Sequence, residues 1–174
     1  MNSPSRFLIG IGLLVLIVAV AIVARHGKDG HDHMAEHDAE VVTLVENAVA
    51  AYQEQGSDVF AEMNDVQNQD WVIDDDLYVF ALDLTKNALV VYPVMPTTIG
   101  VDLNDATIPA ELRALAHYIR ELALTMPEGK WVHYAHTNPL EDKDHKPRMS
   151  VKRAYVVISD AILFGAGRYM KRGH

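Results

Sequence analysis

An uncharged run of 18 residues, Phe7 to Ala24, divides this sequence into two parts that cannot share one solvent. As a helix the run would span about 27 Å, close to the hydrocarbon thickness of a bilayer. It lies near the first residue and is flanked by Arg6 and Arg25, so it reads as a membrane segment and not as a core helix. Ala19-Val20-Ala21 resembles the cleavage site of a secretory signal, but the apolar run continues past it and exceeds the usual length of a cleaved signal. An uncleaved anchor is the preferred expectation. Residues 1–6 then form a short cytoplasmic head and 7–24 a single pass through the inner membrane. Everything from residue 25 onward would lie in the periplasm or outside the cell.

The charge balance is acidic, with 15 Lys+Arg against 24 Asp+Glu and a formal net charge of −9. No basic cluster outweighs the acids, so nucleic acid is not an expected partner. Cysteine is absent. That excludes disulfides, thiolate metal sites, Fe–S clusters and cysteine nucleophiles together. The sequence holds no GxSxG elbow, no phosphate-binding loop and no HExxH, and no nucleophile stands at a believable spacing from a base. Neither catalysis nor a cofactor is expected. Gly165-Ala166-Gly167 lacks the rest of a dinucleotide fingerprint and reads as a place of close backbone packing. Asp74-Asp75-Asp76 could attract a cation, but three acids before a strand read as a solvated loop.

Residues 25–38, RHGKDGHDHMAEHD, read as a polar tether that is mobile and adds little to stability. Within it His26, His31, His33 and His37 stand among Asp29, Asp32, Glu36 and Asp38. Imidazoles and carboxylates at this density could ligate zinc, copper or nickel, which gives an alternative reading as a periplasmic metal-handling protein. A solvated linker is the preferred reading, because the histidines have no regular helical spacing.

From Ala39 the pattern turns helical, with Val42, Val45, Val49 and Tyr52 at steps of three and four. Gly56 should end this helix, and Ser57 can cap a short second one through Asn64. The period then changes to two. Leu77–Asp83 and Leu89–Tyr92 read as strands around a turn at Thr85-Lys86-Asn87. Pro109 suits the start of a helix whose apolar stripe runs from Leu112 to Met126. Lys130–Thr137, Met149–Ile158 and Ile162–Tyr169 read as three more strands, the last two joined at Ser159-Asp160. Five short strands, mostly linked by hairpins, with helices between them indicate an α+β domain on an antiparallel sheet.

Asp76-Leu-Tyr-Val-Phe-Ala-Leu-Asp83, Val91-Tyr-Pro93, Ile99-Gly-Val-Asp-Leu103, Trp131-Val-His-Tyr134 with Asn138-Pro139, and Phe164-Gly-Ala-Gly-Arg-Tyr169 follow in order. Together they resemble a single Cache domain of type 2, an extracytoplasmic sensor module related to PAS folds. The likeness spans residues 39–170, leaving 171–174 as a tail. It implies a long N-terminal helix packed on a five-stranded antiparallel sheet, with a pocket for a small molecule, often a short organic acid, on one face. It also implies signalling across the membrane. The sequence stops soon after Tyr169, so the expected signalling partner is a separate protein such as a kinase or chemoreceptor. Three positions differ from the family pattern: Tyr92 stands where His is usual, His136 replaces an aromatic, and Val151 replaces a Tyr.

Tyr78, Tyr92, Trp131, Tyr134 and Tyr155 fall in or beside the expected strands. Such rings can line a pocket and bond an acid inside it, or they can be ordinary core and edge aromatics. Lys146, Arg148, Lys152 and Arg153 form the densest basic stretch, which is either an exposed hairpin or the source of one inward cation. Alternation sends Trp131 and Tyr134 to opposite faces. The pocket is expected on the side of Val132, Tyr134 and His136, with Trp131 as core beneath the helix. The candidate ligand-binding set is therefore Tyr78, Tyr92, Tyr134, His136 and Arg148, with Arg148 favoured as the cation because a guanidinium can grip a carboxylate with two bonds.

Overall fold

A computed structural model describes residues 32–138 and 148–170. The head 1–6, the apolar run Phe7–Ala24, His26, His31 and the tail 171–174 lie outside the described residues, as does the side chain of His33. No helix among the described residues is long and apolar enough to cross a membrane.

Helix α1 runs from Asp32 to Gln55, so its first turns occupy the second half of the expected tether. Apolar periodicity could not reveal this stretch, because ion pairs hold it to the sheet. Asp38 bonds Arg153, and Glu40 Oε2 accepts from Arg168 Nη2 at 3.0 Å. Farther along, α1 buries Val41, Leu44, Val45 and Ala48, a stripe set about one residue earlier than the expected one through Val42, Val45 and Val49. Gly56 ends the helix in the left-handed region, at φ 65°. Helix α2, Phe60–Met63, follows after a 3-10 turn over Gly56–Val59.

Strands β1 (Phe80–Asp83) and β2 (Ala88–Val91) form the first hairpin. Asp83 Oδ1 accepts the N–H groups of Thr85 and Lys86, both at 2.9 Å, and Asn87 closes the turn at φ 53°. Helix α3 covers Ala110–Ala123 directly after Pro109. Strands β3 (Lys130–Asn138), β4 (Arg148–Ser159) and β5 (Ile162–Tyr169) complete one antiparallel sheet in the order β2-β1-β5-β4-β3.

The sheet is covered on both faces. On one side α1 and α2 pack on Phe164, Ala166, Val91 and Leu77. On the other, α3 packs through Leu112, Ala116 and Ile119 over Phe80, Val132, Val156 and Leu163. Neighbouring β5 residues thus serve different cores, Leu163 toward α3 and Phe164 toward α1. A Cβ at Gly165 would collide with the Phe80 ring, and one at Gly167 with the β4 backbone at Arg153 and Ala154. The Gly-Ala-Gly step is therefore a packing device, as its isolation in the sequence suggested.

Trp131 lies on the α1 face as expected, but it is only partly buried. Its ring stacks on the Arg153 guanidinium at 4.0 Å and tilts against Tyr155 at 5.4 Å. It is an edge residue that props up an arginine and not a core anchor, so truncating it should cost less than a full core deletion.

Candidate functional site

Between α3 and the sheet lies a cavity of about 40 Å³. Tyr78, Tyr92, Tyr134 and His136 all line it, so the structure brings four of the five sequence candidates together. Arg148 opens β4 opposite Asn138, near the hairpin loop, and its side chain lies outside the described residues. Among the described residues the inward cation is Lys152, which is 3% exposed.

The hairpin register explains the arrangement. Tyr134 on β3 stands directly opposite Lys152 on β4, and Lys152 opposite Tyr169 on β5. One cross-strand row therefore places an ammonium between two phenols on the cavity face. The next row, Arg153 opposite Arg168, faces α1. Two arginines so placed repel each other, and Asp38, Glu40 and Asp74 offset that charge. The expectation that Asp74-Asp75-Asp76 is a solvated loop holds for the exposed Asp74 and Asp75 and fails for Asp76, although Asp74 is also tied by bonds. Asp74 Oδ1 accepts the N–H groups of Asp76 and Leu77, both at 2.8 Å, while its Oδ2 meets Arg168 at 2.9 Å. Asp76 turns inward.

Lys152 Nζ donates to the Asp76 carbonyl oxygen at 2.9 Å and stands 3.8 Å from its carboxylate. It also lies 4.3 Å from the centre of the Tyr78 ring and 4.9 Å from that of Tyr169. A carboxylate and two π faces together make burial of the charge tolerable. Even so, burial lowers the Lys152 pKa to about 8, against the opposing pull of Asp76. The Asp76 carboxyl is raised by its own burial, although Lys152 and the Tyr169 N–H, at 3.0 and 3.1 Å, favour its charged form.

The phenols are neutral donors. Burial raises Tyr78, Tyr92, Tyr134 and Tyr169 above the ordinary tyrosine value, and the Tyr78 and Tyr92 hydroxyls pair with each other. His136 Nδ1 meets Tyr169 Oη at 2.9 Å, and the His136 ring stands edge-on to Tyr134. The rest of the wall is apolar, from Leu82, Leu89, Ile119 and Leu163. Such a site can hold one small anion with its charge on Lys152, its oxygens on phenol hydroxyls and its carbon against leucine and isoleucine.

Lys152, Asp76 and Tyr169 are the site residues that sequence reasoning missed. A signal for Lys152 was available. Strands ending at Thr137 and starting at Met149 imply the observed register, and that register puts Lys152 opposite Tyr134. The preference for arginine over lysine outweighed it.

Among the described residues no group of three or more His, Asp and Glu could hold a metal ion. His37 is exposed on α1, 3.9 Å from Glu40. His26, His31 and the side chain of His33 lie outside the described residues.

No protein-family model matches the sequence, and none of the curated proteins does. Solved structures do match the fold. A Cache chemosensory domain studied for carboxylic acid recognition aligns with a TM-score of 0.55 at 16% identity, over 83% of this chain and 100% of its own. The periplasmic sensor domain of a chemotaxis protein aligns with a TM-score of 0.51 at 20% identity, over 79% of this chain and 98% of its own. The described part of this chain has the fold of a Cache domain.

Proposed function

We propose that this protein is a membrane-anchored, extracytoplasmic sensing module that binds a short carboxylic acid and signals through a separate membrane protein such as a kinase or chemoreceptor. The observation that carries the reading is Lys152: a buried ammonium beside an otherwise apolar cavity, ringed by neutral phenols. Water alone would not require a charged group there, whereas a carboxylate compensates one. The fold's likeness to a carboxylic-acid sensor and to a periplasmic sensor domain supports the same reading. The uncharged run Phe7–Ala24 supports the anchor.

The output would pass through α1. Arg153 and Arg168 hold its first half, and each is the chain neighbour of a member of the adjacent cross-strand row, Lys152 and Tyr169. A ligand that shifts the Lys152–Tyr169 row therefore shifts the row gripping the helix that leads toward the membrane segment.

Acetate and propionate are the first probes. Calorimetric titration of the full chain should show saturable binding of at least one of them. Above the Lys152 pKa of about 8 the ammonium is lost. Affinity should then fall about tenfold per pH unit while the acid itself stays ionised. Affinity that stays constant from neutral pH through this range removes Lys152 from the site. For topology, a reporter active only outside the cytoplasm should work when fused after His174. Activity only from a cytoplasmic reporter at that position contradicts the orientation.

A further inference from the structure

The cavity beside Lys152 is too small for a whole ligand of any length. Its volume of about 40 Å³ amounts to roughly three water-sized positions, which is the size of a carboxylate group with little beyond it. A second, more open cleft of about 520 Å³ lies against it. Tyr78, Tyr92, Leu112 and His136 line both spaces, so the two share a boundary at these side chains. The outer cleft is faced by Val94, Met95, Pro109 and Met149, and the exposed members are substantial: Val94 at 49%, Met95 at 38% and Met149 at 54%. Three apolar side chains left open to solvent around the mouth of a charged cavity are surface that a ligand tail would cover. Methionine suits tails of variable shape, being unbranched and polarisable. Among the described residues, the charged ones lining the outer cleft are Asp75 and Glu111, both acidic.

We infer that the inner cavity and the outer cleft form one composite site for a monocarboxylate with an apolar tail, the carboxylate on Lys152 and the tail between Met95 and Met149. This rests on the proposed carboxylate role of Lys152 and adds the ligand class. Asp75 and Glu111 at the mouth repel a second carboxylate, so dicarboxylates of equal length are rejected. Selectivity would therefore come from the outer cleft, and the inner cavity would read only the head group.

The test is a chain-length series on the full chain in amphipol at neutral pH: acetate, propionate, butanoate, hexanoate and the dicarboxylate succinate. Binding should tighten with each methylene that enters the cleft, by up to about fourfold per CH₂, the transfer of one methylene out of water. Hexanoate should therefore exceed propionate by at least tenfold, and succinate should bind at least tenfold more weakly than butanoate. Met95→Glu, a change at a partly exposed side chain, should flatten the series to within about threefold from propionate to hexanoate. If acetate and propionate bind while affinity is flat or falls with length, the composite site is wrong and the inner carboxylate reading stands. If succinate matches or exceeds butanoate, the tail-selecting role of Asp75 and Glu111 is wrong. If no member of the series binds, the carboxylate reading fails and this inference falls with it.

Discussion

Phe164→Ala is expected to lower the free energy of unfolding by about 3–5 kcal/mol. Phe164 is 0% exposed and sits on the α1 face of β5, paired across the sheet with Ala81 and Val157. Its ring meets Tyr52 of α1 at 5.3 Å and Phe60 of α2 at 6.5 Å, while Tyr52 and Phe60 stack at 5.5 Å. Removing it opens a void where both helices and three strands meet, and a sheet paired on both sides cannot close that void by moving one element. Urea unfolding followed by the fluorescence of Trp71, which lies in the same core, measures the loss. A change below about 1 kcal/mol would mean that α1 does not pack where this fold puts it.

Lys152→Met separates binding from folding. Methionine keeps much of the length and volume but removes the charge, and loss of a charged partner from a desolvated site costs about 2–5 kcal/mol of binding free energy. Propionate affinity should drop by at least about 30-fold, the lower end of that range. Stability should not drop with it. The lowered Lys152 pKa shows that burial outweighs the Asp76 attraction, so the ammonium is a net cost to the folded state without a ligand. Asp76 stays compensated after the change, because the Tyr169 N–H still bonds it and Arg168 stands 4.0 Å away. Unfolding free energy equal to or above that of the unmodified chain, together with lost binding, is the expected pair of results. Affinity within threefold of the unmodified chain would take the ligand away from Lys152.

The parts of this fold governed by local periodicity were legible in the sequence. The alternation in Ile162–Tyr169 placed β5 to the residue, and Lys130–Thr137 missed the end of β3 by one. Pro109 marked the start of α3, and Gly56 the end of α1. What escaped was everything held by charge. Asp38 and Glu40 fasten the start of α1 to arginines 115 and 128 residues away in the chain, and no local pattern encodes a pairing of that range. The same limit applied at the site. Tyr134 and His136 are legible because they share a strand face, and Tyr78 and Tyr92 because they are aromatics in or beside expected strands. Lys152 looked like any basic residue of an exposed hairpin until the register set it between Tyr134 and Tyr169. Asp76, one of three consecutive acids, is distinguished only by that lysine.

The most direct test of the account is NMR of the full chain with isotope-labelled lysine, following the Lys152 side chain through its titration with and without propionate. Without propionate the midpoint should lie near 8, the value set by burial. A bound carboxylate favours the charged ammonium and should move the midpoint up by a unit or more, about 1.4 kcal/mol or more of linkage. A Lys152 midpoint that stays in place under saturating propionate, while the acid demonstrably binds, would contradict the claim that this lysine holds the ligand.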